Sequence, residues 1–91
     1  YFVVVNASNT DKDFAWMQKV HRDGNFSCRL ENESAKWSQI AIQGPRAAEI
    51  LQTLTDTPLA DIKTYRFAEG KIMGLPAILA RTGYTGEDGF E

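Results

Sequence analysis

The chain opens on an unbroken apolar run, Tyr1-Phe2-Val3-Val4-Val5. A β-branched and aromatic stretch without alternation predicts a strand covered on both faces, central to a sheet. Asn6 to Thr10 is a cluster of cap and turn residues, after which the period lengthens to that of a helix. From Asp11 to Asp23, Phe14, Trp16, Met17, Val20 and His21 gather on one arc, while Lys12, Lys19 and Arg22 lie opposite. Acidic residues in the first turn and Lys19, His21 and Arg22 in the last suit the helix dipole, and Gly24 is a natural stop. At this spacing Trp16 reads as a core residue.

Phe26 to Leu30 alternates and predicts a strand, followed by a polar stretch from Glu31 to Ser38 and a further strand over Gln39 to Ile42. Gly44-Pro45 ends it. Pro45 suits the first position of a helix in which Ala47, Ala48, Leu51 and Leu54 recur at helical spacing. Pro58 opens a short helical turn through Ile62. Thr64 to Phe67, Lys71 to Met73 and Ala77 to Arg81 predict successive strands, with Glu69-Gly70 as a hairpin turn and Gly74-Leu75-Pro76 as a second connection. The order β, α, β, β, α, β, β, β predicts an α+β fold, a mixed sheet with two main helices, rather than a doubly wound one.

Composition narrows the function. The 91 residues are 43% apolar and carry a formal net charge of −2. That length bounds the chain to one domain or less. The charge lacks the excess of Lys and Arg that nucleic acid or an anionic membrane requires, so neither is an expected partner. No apolar run approaches the roughly 20 residues of a membrane span, and none has the flanks of a signal peptide. Cys28, alone, allows no internal disulfide and no cysteine-based zinc site, which points to a reducing compartment. The strand-like patterns at both termini lead to the expectation that residues 1–91 are a single partial domain, an internal piece of a longer protein.

Candidate chemistry is concentrated at the end of the chain. Thr82-Gly83-Tyr84-Thr85-Gly86-Glu87-Asp88-Gly89-Phe90-Glu91 carries three glycines at intervals of three and three carboxylates within five residues. The spacing matches neither a dinucleotide fingerprint nor a P-loop, and Glu87 and Asp88 would repel a phosphate from any backbone nest. Adjacent carboxylates diverge when extended and no EF-hand spacing is present, so no metal site is expected. His21 lacks partners at ligand spacing, and Cys28 has only His21 as a conceivable base.

Val5-Asn6-Ala7-Ser8-Asn9, Lys12-Asp13, Trp16-Met17, Gln43-Gly44-Pro45 with Ala47-Ala48, and above all Thr82 through Glu91 together resemble the glycine-cleavage T-protein, the tetrahydrofolate-dependent aminomethyltransferase family. The resemblance runs across the whole chain, and its most specific element is Gly83 to Glu91. It implies part of a T-protein-like folate-binding domain, from a transferase of glycine catabolism and one-carbon metabolism. Such an enzyme takes an aminomethyl group from the lipoyl arm of the H-protein, releases ammonia, and passes the methylene carbon to tetrahydrofolate. Tetrahydrofolate, as substrate, and lipoylated H-protein are therefore the expected partners. The implied location is the cytoplasm in bacteria or the mitochondrial matrix in eukaryotes.

The resemblance also assigns residues. Glu91 maps onto the carboxylate that binds the pterin, Tyr84 onto a tyrosine near the folate, and Phe2, Val4 and Asn6 onto the pocket lining. These roles suit the chemistry: a pterin's aminopyrimidinone edge offers adjacent N–H donors that one carboxylate can accept together. Phe2, Val4 and Asn6, spaced by two, share one face of an extended segment and form an apolar wall ending in a polar group. The family's Asp near the reacting folate nitrogen would precede Tyr1 and its folate-contacting Arg residues would lie downstream, so no catalytic residue is expected within these 91. Related folate-binding domains occur in sarcosine or dimethylglycine oxidising enzymes and in iron–sulfur assembly factors. The latter carry a Cys-containing motif where this sequence has Gly83-Tyr84-Thr85-Gly86, which favours the aminomethyltransferase reading.

Overall fold

A computed structural model describes all residues from Tyr1 to Glu91. The chain divides into two compact units, Tyr1–Ser38 and Gln39–Glu91. The architecture is α+β, as the element order predicts, and its ladders are all antiparallel.

In the first unit, a 3-10 turn at Ala7–Asn9 leads into helix α1, Thr10–Asp23. The Thr10 hydroxyl donates to the Ala7 carbonyl at 3.0 Å, and Asp11 and Asp13 sit in the first turn where the dipole favours negative charge. Gly24 caps the other end, and the left-handed residue that reverses the chain is the next one, Asn25, with φ of 49°. His21 Nε2 donates to the Cys28 carbonyl at 2.6 Å, holding the following segment along the last turn.

The two strands predicted in this unit do not form. Tyr1–Val5 and Phe26–Leu30 make no ladder, and the second is bent at Cys28; neither finds a partner strand, and unpaired backbone N–H and C=O groups turn to water instead. Nor does α1 bury any side chain: Trp16, predicted as core, is 63% exposed.

The second unit carries the core. Strand β1, Ile42–Gln43, pairs with β4, Gly89–Phe90, and β2, Phe67–Ile72, pairs with β3, Leu75–Ala80. Ala80 and Glu91 exchange reciprocal backbone hydrogen bonds of 2.9 Å, joining β3 to the end of β4. Helix α2, Ala47–Gln52, and a 3-10 turn at Leu59–Asp61 close the apolar face. Phe90, Leu59 and Leu79 are fully buried and form the core with Leu51 and Ile62. Burying each such side chain contributes about 1.5–3 kcal/mol.

Several boundaries differ from the sequence pattern: β1 covers only Ile42–Gln43 rather than Gln39 to Ile42, the strands expected at Thr64 to Phe67 and Lys71 to Met73 are replaced by the single strand Phe67–Ile72, and Leu75 and Pro76 belong to β3 rather than to a connection. Pro45 lies in the turn ahead of α2, which begins at Ala47, because Gly44 at φ of 120° is still turning the chain and its N–H donates to the Asp88 carbonyl at 2.9 Å. The hairpin turn is Met73-Gly74 rather than Glu69-Gly70. Both turn residues have positive φ, 49° and 82°, the combination that matches the right-handed twist of the flanking strands. Glu69 and Gly70 instead sit mid-strand opposite Ile78 and Ala77.

Candidate functional site

The segment from Thr82 to Glu91 leaves β3 and returns as β4, so that its two ends meet. Closure depends on Gly89. A Cβ there would lie 2.4 Å from the Ile42 carbonyl oxygen and 2.5 Å from Gln43 Oε1, so only glycine lets β4 approach β1 this closely. Gln43 ties the two ends together: its Nε2 donates to the Thr82 carbonyl at 3.0 Å and to the Phe90 carbonyl at 3.1 Å. Its Oε1 is buried without a hydrogen-bond partner.

The carboxylates of the motif separate by function. Asp88 forms a bidentate pair with Arg81, Nε to Oδ1 at 2.9 Å and Nη2 to Oδ2 at 2.6 Å. Arg81 Nη1 also donates to the Ile62 carbonyl at 3.0 Å, and the guanidinium lies 5.6 Å from the centre of the Phe90 ring. The hydrogen bond from Arg81 holds the Asp88 carboxyl below its ordinary pKa, and the same bond raises that of Arg81. Planar fork meets planar carboxylate here, which fixes the loop's path as well as its charge. Glu87, beside it, is exposed at the tip.

Glu91 is half-buried and oriented. Its Oε2 accepts from the Thr82 hydroxyl at 2.6 Å and its Oε1 from Gln39 Nε2 at 3.0 Å. A carboxylate has roughly four acceptor positions. Each oxygen of Glu91 takes one hydrogen bond from the protein, so each retains an acceptor position for a ligand. Tyr84 stands on the loop 84% exposed. The remaining sequence-assigned residues lie in the first unit: Phe2 and Val4 are 57% and 62% exposed, Asn6 is exposed, and the Phe2 ring meets Trp37 edge-on with centroids 5.2 Å apart.

The sequence reading missed Gln39, Gln43, Arg81 and Thr82. Thr82 heads the motif and closure of a loop onto its own strand predicts contact with Glu91. Gln39 carries no such local signal, being 52 residues from its partner. A groove of about 450 Å³ lies in the first unit beside His21, Arg22, Cys28 and Arg29. It is open, its imidazole is already engaged with the Cys28 carbonyl, and Arg29 pairs with Glu31 at 2.9 Å. Convergent chemistry is found at Glu91, not there.

Residues 1–91 match a protein-family model described as the GCVT N-terminal domain. The chain is 54% identical over 92 residues to a protein named aminomethyltransferase from Halalkalibacterium halodurans. It is 52% identical over 91 residues to one from Moorella thermoacetica and 55% identical over 91 residues to one from Desulfitobacterium hafniense, both of that name. Each comparison covers 100% of this chain and 24% of the relative, so the chain spans about a quarter of the length of these curated relatives. No helix is long and apolar enough to cross a membrane.

Proposed function

The chain belongs to the family of the GCVT N-terminal domain, and from that premise we propose that it is part of the folate-binding region of an aminomethyltransferase of the glycine cleavage system. The full-length protein takes the aminomethyl group from the lipoyl arm of its H-protein partner, releases ammonia, and transfers the methylene carbon to tetrahydrofolate. Support comes from identities of 52–55% to proteins named aminomethyltransferase.

The observation that carries the site is the Glu91 carboxylate, turned by Thr82 and Gln39 so that one acceptor position per oxygen stays open. We assign it the two adjacent N–H donors of the pterin, a charge-assisted pair that fixes the ring's orientation. Tyr84, exposed on the same loop, is assigned to the side of the folate. Within the first unit, Phe2, Val4 and Asn6, whose side chains are all exposed, are assigned as folate-contacting residues, two apolar and one polar. These residues bind and orient; proton transfer belongs to parts of the protein outside residues 1–91.

The test is reconstitution with aminomethylated, lipoylated H-protein. The expected result is ammonia release and methylene-tetrahydrofolate formation that need both H-protein and tetrahydrofolate. Ammonia release independent of tetrahydrofolate, or flavin-linked oxidation of sarcosine by the same polypeptide, would overturn this assignment.

A further inference from the structure

We propose that Thr82 is a positioning residue for folate recognition, acting only through Glu91. This rests on the reading of Glu91 as the carboxylate that meets the pterin. A glutamate has three side-chain torsions, and a free one samples many rotamers that point its oxygens away from any single ligand plane. Glu91 is restrained at both ends. Its backbone is locked to Ala80 by reciprocal hydrogen bonds of 2.9 Å, and its Oε2 accepts from the Thr82 hydroxyl at 2.6 Å.

Thr82 is in turn anchored, because its carbonyl accepts from Gln43 Nε2 at 3.0 Å. The amide that holds Thr82 also holds the Phe90 carbonyl, the residue before Glu91. Donor and acceptor are thus registered against one side chain, and the carboxylate plane is set before any ligand arrives. Gln39 Nε2, at 3.0 Å from Oε1, completes the restraint from the other oxygen. Pre-ordering of this kind raises affinity by removing the cost of immobilising a flexible side chain on binding.

The experiment is titration calorimetry of the full-length protein with tetrahydrofolate. Thr82→Val keeps the shape and removes the donor, and affinity should fall about three- to tenfold, the effect of freeing one rotamer-rich side chain. Thr82→Ser restores the hydroxyl and should return affinity to within about twofold of the unmodified protein. In a Glu91→Ala background, Thr82→Val should change affinity by less than about twofold, since nothing remains for the hydroxyl to orient. Gln39→Leu, at an exposed position away from the core, provides an independent variant with a loss like that of Thr82→Val.

The outcomes separate. If Glu91→Ala binds tetrahydrofolate as tightly as the unmodified protein, the reading of Glu91 itself fails. If Glu91→Ala weakens binding while Thr82→Val and Gln39→Leu do not, the positioning role is overturned and Glu91 stands. Equal losses from Thr82→Val in both backgrounds would also overturn it, by showing that Thr82 acts on the ligand or the fold directly.

Discussion

Gly89→Ala tests how the strand pairing serves the site. The new Cβ would lie 2.4 Å from the Ile42 carbonyl oxygen, a backbone atom that cannot swing aside as a side chain can. Relief requires β4 to move away from β1, straining the Ile42–Phe90 and Gln43–Gly89 pairings. Overpacking of this kind costs about 1–3 kcal/mol. Losing one backbone hydrogen bond of the pairing adds about 1 kcal/mol, giving a destabilisation on the order of 2–4 kcal/mol. Glu91 is two residues along, so a displacement of β4 also carries the carboxylate off its ligand plane. On the proposed reading, tetrahydrofolate affinity should fall by about tenfold or more.

Gly74→Ala provides the control. Nothing lies within 4 Å of a Cβ at Gly74, but its φ of 82° is strained for any L side chain. That substitution should cost about 1–2 kcal/mol and leave folate affinity unchanged, because the β2–β3 turn lies at the far end of the hairpin from Ala80. Thermal unfolding and tetrahydrofolate titration of the two full-length variants check both halves. Undiminished affinity in Gly89→Ala, or an equal affinity loss in Gly74→Ala, would refute the reasoning.

The Arg81–Asp88 pair predicts a pH dependence. Asp88 has its carboxyl pKa lowered in the folded state, so its contribution to stability is complete above its ordinary value of 3.8 and is lost as pH falls through the lower folded value. Urea unfolding of Asp88→Asn at descending pH should lack that part of the acid destabilisation, and profiles identical in shape to the unmodified protein's would contradict the assignment. The isolated 91-residue polypeptide should self-associate, because Phe67, Leu75 and Met73 are 64%, 71% and 77% exposed and no side chain of residues 1–38 is buried. Light scattering that finds a stable monomer with cooperative unfolding would argue against this.

How much was legible in the sequence follows from where the determinants lie. Helix α1 was readable because its period, acidic first turn and basic last turn are all local. The 3-10 turn after Pro58 was readable for the same reason. Strand β2 is hard to read from the sequence because its inward positions are Ala68, Gly70 and Ile72, and two small residues hide the alternation that marks a half-buried strand. Gly70 faces Thr57 and Leu79, where a larger residue would not fit. Composition alone therefore points to a turn at Glu69-Gly70, whereas the backbone takes it at Met73-Gly74.

Tyr1–Val5 misled in the opposite sense. Its composition is that of a buried strand, but pairing is a property of two segments and none within these residues is offered to it. At the site, the motif from Gly83 to Glu91 points to the Glu91 carboxylate but carries no signal of what that carboxylate bonds to within the protein. Thr82, Gln43 and Gln39 act across the strand ends, and contacts between Gln39 and Glu91 emerge only once β1 and β4 are paired.

The central claim is that one carboxylate of the motif, Glu91, reads the folate ring. The most direct measurement is calorimetric titration of tetrahydrofolate into full-length Glu91→Gln and Glu87→Gln proteins. Glu91→Gln keeps the shape, removes the charge and turns one acceptor into a donor facing a donor. It should cost on the order of 2–4 kcal/mol of binding, roughly 30-fold to 1,000-fold in affinity. Glu87→Gln, at the solvated tip, should change affinity by less than about threefold, since an exposed charge is screened. Equal losses in the two variants, or a large loss confined to Glu87→Gln, would contradict the account.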